Sequence, residues 1–191
     1  MNRSTSAATT PGGGPADDPG RFRHVLGHYP TGVTVVTAKE PDGTPVGMVI
    51  GSFTSVSLDP PLVAFFPGRS STTWPRIMAG GSFCVNVLAA GQEGLCRDVS
   101  AKAPDFFDRH PWRGAPSGSP VLAGVAAWID CDIADVWTLG DHYFVLGRVR
   151  ELGVEKKTGA APLVFSRGRL APLPPHRDHD DSADYTWPDW L

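Results

Sequence analysis

Apolar residues in this chain come in short runs broken by turn-forming residues. Residues 32–38 (GVTVVTA) are dominated by β-branched side chains and predict a strand. Pro41, Asp42 and Gly43 follow as a turn, because proline presets φ and glycine accepts a positive φ. Residues 46–56 are therefore expected to return as the hairpin partner, and 62–66 to add a third strand. Pro60 and Pro61 fall between strands, since proline cannot donate to a central ladder. Residues 82–88 (SFCVNVL) alternate Phe83, Val85 and Val87 against Cys84, Asn86 and Leu88, the two-residue period of a strand. Residues 121–136 read as one long or bent strand, 138–141 as a turn, 142–152 as the return, and 162–165 as a last strand.

Helical signals are few and short. Phe22, Val25 and Leu26 share one helical face, so a short helix leads in. The hydroxyls at 70–73 supply an N-cap for a helix running to Met78, with Pro75 in the tolerated first turn and Gly80-Gly81 as the stop. Residues 92–99 form a further helix, and 104–108 a single turn. Six or seven strands with hairpin connections and only short helices predict a mainly β chain built as an antiparallel barrel, not a βαβ layout. Residues 1–20 are small and polar and are expected to stay disordered. The folded domain then spans 21–171. Residues 172–191 turn to proline, histidine and aspartate before Tyr185, Trp187 and Trp190, a tail expected to be disordered or to dock on a neighbour.

Composition narrows the possible functions. The chain has 191 residues with 41% apolar and 19% charged, ordinary for a globular domain with a real core. A net charge of −3 with no basic cluster argues against nucleic acid. No apolar run approaches the roughly 18 residues of a membrane span, and the N-terminus does not read as a secretory signal. Cys84, Cys96 and Cys131 are widely spaced with no C-x-x-C pair, which points to reduced thiols in a cytoplasmic protein. His176, His179, Asp180 and Asp181 have ligand-like spacing but sit in a polar tail with no further partner, so no metal site is expected.

The chemistry concentrates elsewhere. From Gly47 onward a buried-strand pattern gives way to Gly51, Ser52, Thr54, Ser55 and Ser57 before apolar residues resume at Leu62. Hydroxyls in a strand cost packing unless they bond something, so this row opens towards a planar, polar ligand. The capped helix start at 70–73 is a candidate anion site, with Ser71 and Thr73 as donors and Arg69 or Arg76 as the charge; simple capping accounts for the same residues. His142 opens a strand at a barrel rim, where it can orient a substrate, donate a proton or bond a ligand edge, with Asp141 as the one possible acid–base partner.

Taken in order, Pro30-Thr31-Gly32-Val33, Gly47-Met48, the block from Ser52 to Val63 (SFTSVSLDPPLV), Thr73-Trp74, Val85-Asn86-Val87-Leu88 and Gly140-Asp141-His142 resemble the flavin reductase family with the FMN-binding split-barrel fold. The resemblance covers about residues 22–171. It implies a homodimer of six-stranded antiparallel split barrels with short peripheral helices, working as the reductase component of a two-component flavin-dependent monooxygenase. NADH or NADPH would reduce FMN or FAD, which then leaves for the oxygenase. It also implies that Thr31, Val49, Ile50, Gly51, Ser52, Ser55 and Val56 line the flavin, that Ala64, Phe65 and Phe66 back it, and that Ser71 and Thr73 reach its phosphate. His142 would sit on the nicotinamide side as the catalytic residue. Many members carry Gly-Met-Thr-x-Asn/Ser-Ser-Phe where this chain has Gly47-Met48-Val49-Ile50-Gly51-Ser52-Phe53, so side-chain bonds to the flavin edge are reduced here. Two other readings stay open: a flavoprotein that keeps its flavin and acts on a small organic substrate, and a non-catalytic flavin-binding barrel.

Overall fold

The computed structural model describes residues 17–155 and 161–173. The expected disordered start and the aromatic tail, with His176 and His179, fall outside those residues almost entirely. In chain order the elements are α1 (Pro19–Leu26), β1 (Thr31–Gly32), β2 (Thr34–Lys39), β3 (Pro45–Ile50), β4 (Thr54–Leu58), β5 (Pro61–Phe65), α2 (Trp74–Ala79) and β6 (Ser82–Val87). They continue with α3 (Glu93–Ser100), α4 (Phe106–Arg109), β7 (Trp112–Gly114), β8 (Pro120–Leu122), β9 (Ala127–Leu139), β10 (His142–Val154), β11 (Leu163–Ser166) and β12 (Arg169–Pro172).

The main sheet runs β3-β2-β6-β9-β10-β5-β4, with every pairing antiparallel. Strands β3 and β4 are consecutive in the chain yet occupy its opposite edges. Only Gly51, Ser52 and Phe53 join them, and such a link spans at most about 14 Å. The sheet must therefore curl until its edges nearly meet, which makes a barrel with an open seam. Six strands carry buried side chains; β4 carries none and lies beyond β5 as an exposed ribbon. Two shorter sheets, β1-β11-β12 and β7-β8, flank the barrel.

Alternation along the strands sorts the core into two layers. Val36, Phe65, Phe83, Val85, Cys131 and Val145 point inward from five strands, and Ile50 adds the sixth. Phe65 and Phe83 meet edge-to-face at 5.1 Å between centroids, and Trp74 of α2 packs on Phe65 at 5.7 Å to plug the barrel. The opposite faces of β2 and β6 send Val33, Val35, Cys84 and Leu88 outward under α3, α4 and β8, against Leu95, Val99, Phe106 and Val121. Both faces of β2 are thus covered, which is why TVVTA is β-branched rather than alternating with polar residues.

Asn86 binds the outer layer together. It is fully buried, its Nδ2 donates to the carbonyls of Val35 (3.1 Å) and Pro120 (3.2 Å), and its Oδ1 accepts from the Leu122 N–H at 2.8 Å. Asp130, also fully buried, accepts from the Ser117 N–H and hydroxyl and pins the turn between β7 and β8.

Three sequence expectations change. The run 46–56 is not one strand: it breaks after Ile50 and its second half crosses the seam to pair with β5 instead of β2. The run 121–136 is not one strand either, because residues 123–126 form a turn with Gly124 at φ +77°. Pro61 does not lie between strands but opens β5, opposite Leu58 of the edge strand, where a missing N–H is tolerated. The expected lead-in helix is present as α1, and its apolar face covers no core: Phe22, Val25 and Leu26 are each more than half exposed.

Two outcomes follow from the packing. Asn86→Ala should lower stability by about 2–3 kcal/mol in urea unfolding, because the buried Leu122 N–H loses its side-chain acceptor and the Val35 and Pro120 carbonyls lose a donor. All three thiols are free and buried; burial pushes the Cys84 thiol up to about 12 and raises Cys96 and Cys131 as well. An aromatic disulfide reagent at pH 7.5 should therefore label the native protein slowly and all three cysteines rapidly once it is unfolded.

Candidate functional site

The seam collects most of the residues singled out in the sequence. Gly51 stands in the link between the two sheet edges. A Cβ there would meet Thr31 Oγ1 at 3.1 Å, so the absence of a side chain lets β1 bring its hydroxyl against the link. The backbone before it is fixed by Thr34, whose hydroxyl donates to the Ile50 carbonyl at 2.8 Å. Next along the link, Ser52 extends the β4–β5 pairing: its Oγ accepts from the Phe66 N–H at 3.0 Å, two residues beyond the Thr54–Ala64 pair. On the far side Thr54 pairs with Ala64 and Ser55 with Val63, and Val56 bulges out of register before Ser57.

The line continues from Phe66 through Gly68, which forms a bridge with His142. A Cβ at Gly68 would lie 3.8 Å from His142 Nε2 and 3.9 Å from Ser70 Oγ, so glycine leaves a gap between the histidine and the hydroxyl loop. Ser71 then caps α2, its Oγ accepting from the N–H groups of Thr73 (3.3 Å) and Trp74 (3.1 Å). Thr73 is buried at the N-cap position and its side chain makes no cap bond.

The charge at this loop is not the one expected. Arg76 forms a bidentate pair with Glu40, which holds the Glu40 carboxyl below its usual range. The Arg69 guanidinium turns to the Gly140 carbonyl at 3.4 Å. Instead, Lys102 reaches across from the end of α3 and donates to Thr72 Oγ1 at 2.6 Å. Its backbone takes φ +54°, an uncommon conformation for a residue with a Cβ. No spacing rule links residues 72 and 102; a lysine just past a helix end was the one available signal.

Other expected residues contribute differently. The side chains of Ile50 and Phe65 are buried in the barrel, so these positions offer the seam backbone groups only, whereas Ala64, between inward-pointing Val63 and Phe65, is buried on the other face of β5. Val49 turns to the outer core. Phe66 stays at the seam and stacks edge-to-face with Phe144 at 5.2 Å, which in turn meets Trp137 at 5.3 Å. His142 is paired through Nδ1 with Asp141 Oδ1 at 2.7 Å. That hydrogen bond first, and the histidine charge second, hold the Asp141 carboxyl below its usual range. Among the described residues no cluster of three or more histidine, cysteine or acidic groups could hold a metal.

A line of backbone groups with the hydroxyls of Thr31, Ser52 and Ser55, two glycines, and at its end the hydroxyls of Ser71 and Thr72 with Lys102, suits a long ligand that is flat at one end and anionic at the other. A phosphorylated flavin has that form. When bound, the flavin supplies the capacity to take up a hydride, while the chain supplies orientation.

Comparison with known proteins gives the family. Residues 26–174 match the flavin reductase like domain. The chain is 56% identical over 153 residues to a flavin reductase of Pseudomonas putida, covering 80% of this chain and 89% of that protein. It is 42% identical over 176 residues to the reductase subunit HsaB of a flavin-dependent monooxygenase from Rhodococcus jostii, covering 92% and 87%. Among solved structures, nitrilotriacetate monooxygenase component B from Mycobacterium thermoresistibile superimposes with a TM-score of 0.81 at 39% identity, over 91% of this chain and 94% of that one. The Streptomyces globisporus NADH:FAD oxidoreductase, solved with NAD and FAD fragments, gives 0.78 at 38% identity over 85% and 97%. The β-barrel, the seam and these likenesses together establish that the chain belongs to the flavin reductase family.

Proposed function

We propose that this protein is an NAD(P)H:flavin oxidoreductase that reduces FMN or FAD and releases it to a partner flavin-dependent monooxygenase. The observation that carries the reading is the seam itself, where the two edges of the main sheet, β3 and β4, are joined by a short link that offers hydroxyls and backbone. An open face lets a nicotinamide stack on a flavin with reacting atoms about 3–3.5 Å apart, and it lets a reduced flavin depart. In this reading Thr31, Gly51, Ser52, Ser55 and Val56 meet the tricycle, Phe66 backs it, and Ser71, Thr72, Thr73 and Lys102 meet the phosphate. His142 stands at the nicotinamide side. The relatives support the nicotinamide assignment, since they include an FMN reductase (NADH) of Agrobacterium fabrum and an NADH-dependent FAD reductase of Streptomyces globisporus.

The working unit in this proposal is a homodimer. The support is surface chemistry: α1 exposes Phe22, Val25 and Leu26, and the edge ribbon β4 exposes Val56 and Leu58, the latter by 89%. An edge strand with free backbone groups and apolar side chains is a pairing surface, and a second copy presents the same one. No helix among the described residues is long and apolar enough to cross a membrane. The three free thiols support a reducing, cytoplasmic setting.

Three outcomes check this reading. Steady-state NADH oxidation should scale with added FMN or FAD over many turnovers; a single equivalent of retained flavin with no stimulation by more would favour the flavoprotein alternative. Replacing Lys102 by Met should weaken FMN binding about tenfold in fluorescence quenching and leave riboflavin, which has no phosphate, within about twofold, as expected for one charged contact of about 1.5 kcal/mol. Light scattering of Leu58→Asp should show a shift from dimer to monomer if β4 is the pairing edge.

A further inference from the structure

The position of His142 is fixed twice, through its backbone and through its ring. The Arg69 N–H donates to the Asp141 carbonyl and the Tyr143 N–H to the Pro67 carbonyl, both at 2.9 Å, and the Gly68–His142 bridge lies between them. The turn at 140–142 is thus sewn to the segment that leads from β5 to the hydroxyl loop. The ring is held separately by the 2.7 Å contact between Nδ1 and Asp141 Oδ1. An ionised carboxylate can only accept, so the hydrogen is on Nδ1. A neutral ring then carries its lone pair on Nε2. That nitrogen lies 3.8 Å from the empty Cβ position of Gly68, so no side chain at 68 stands in front of it. The other charges acting here are Arg69, turned to the Gly140 carbonyl, and Arg23 of α1, whose field reaches Asp141.

We propose that Asp141 is a positioning residue that keeps His142 in the Nδ1–H form, so that Nε2 serves as a hydrogen-bond acceptor for the carboxamide N–H of the nicotinamide. The proposal rests on the flavin reductase reading for its substrate. The carboxamide carries the only N–H donors on the nicotinamide ring, and it sits on the carbon next to the one that gives up the hydride. An acceptor that fixes the amide therefore fixes which way the reacting carbon faces. Asp141 is 94% exposed and the His142 ring 48% exposed, so the pair adds little to folding. Its consequence is directional: in this role His142 accepts a hydrogen bond and donates no proton.

Two measurements test it. Nitrogen NMR of the imidazole-labelled, flavin-free protein, at a pH where the ring is neutral, should show His142 protonated at Nδ1; in Asp141→Ala the Nε2–H form should dominate. In kinetics, reduced 3-acetylpyridine adenine dinucleotide has a methyl group where NADH has the amide nitrogen. The ratio of kcat/KM for NADH to that for this analogue should fall about fivefold in Asp141→Ala, the worth of one hydrogen bond of about 1 kcal/mol. Asp141→Asn, whose side-chain oxygen still accepts, should retain most of the ratio. An Nε2–H ring in the native protein, or an unchanged ratio in Asp141→Ala, overturns the proposal. Absence of any NADH oxidation by the native protein would instead overturn the flavin reductase reading, and the NMR result would then decide the role of Asp141 alone.

Discussion

A link of three residues decides the shape of this molecule. Strands β3 and β4 follow one another in the chain and lie at opposite edges of a seven-stranded sheet, and Gly51, Ser52 and Phe53 alone connect them. The backbone cannot reach across a flat sheet of that width, so the sheet closes and leaves a seam where backbone pairing is replaced by side-chain bonds. The Ser52 hydroxyl, accepting from the Phe66 N–H, holds the link to the end of β5. A row of hydroxyls and glycines, poor material for a core, is what such a seam requires.

The site inherits its features from that closure. Gly51 permits Thr31 to approach, and Gly68 permits His142 to present a ring nitrogen. Helix α2 plugs the barrel with Trp74 and Ile77, and the same packing holds its capped start at the end of the seam. Lys102 arrives from the outer layer, whose attachment depends on Asn86 and on the buried turn held by Asp130. The inner layer thus positions the seam and the outer layer the lysine beside the hydroxyl loop. The relatives fit a division of labour in which the protein orients and the flavin reacts.

Much of the barrel was legible because strand signals are local. The alternation at 82–88, the β-branched run at 32–38 and the Asp-Gly turn each specify a segment without reference to the rest. The seam residues were found as a cluster of hydroxyls, and the ordered motifs carried the family. What local pattern cannot show is which edge a strand joins. Nothing between 46 and 56 announces that the second half leaves β2 for β5, since that choice is made by the whole sheet. Burial has the same character: Ile50 and Phe65 sit on seam strands yet point into the barrel. The lysine at the hydroxyl loop was out of reach because it comes from a helix end 30 residues later.

The central claim is that the seam between the two sheet edges is where a flavin lies, and a crystal structure of the protein grown with saturating FMN tests it most directly. The tricycle should run along Thr31, Gly51, Ser52 and Phe66, with the phosphate within hydrogen-bonding reach of Ser71, Thr72 and Lys102. An FMN bound elsewhere on the molecule, or a seam left empty at saturation, would contradict it.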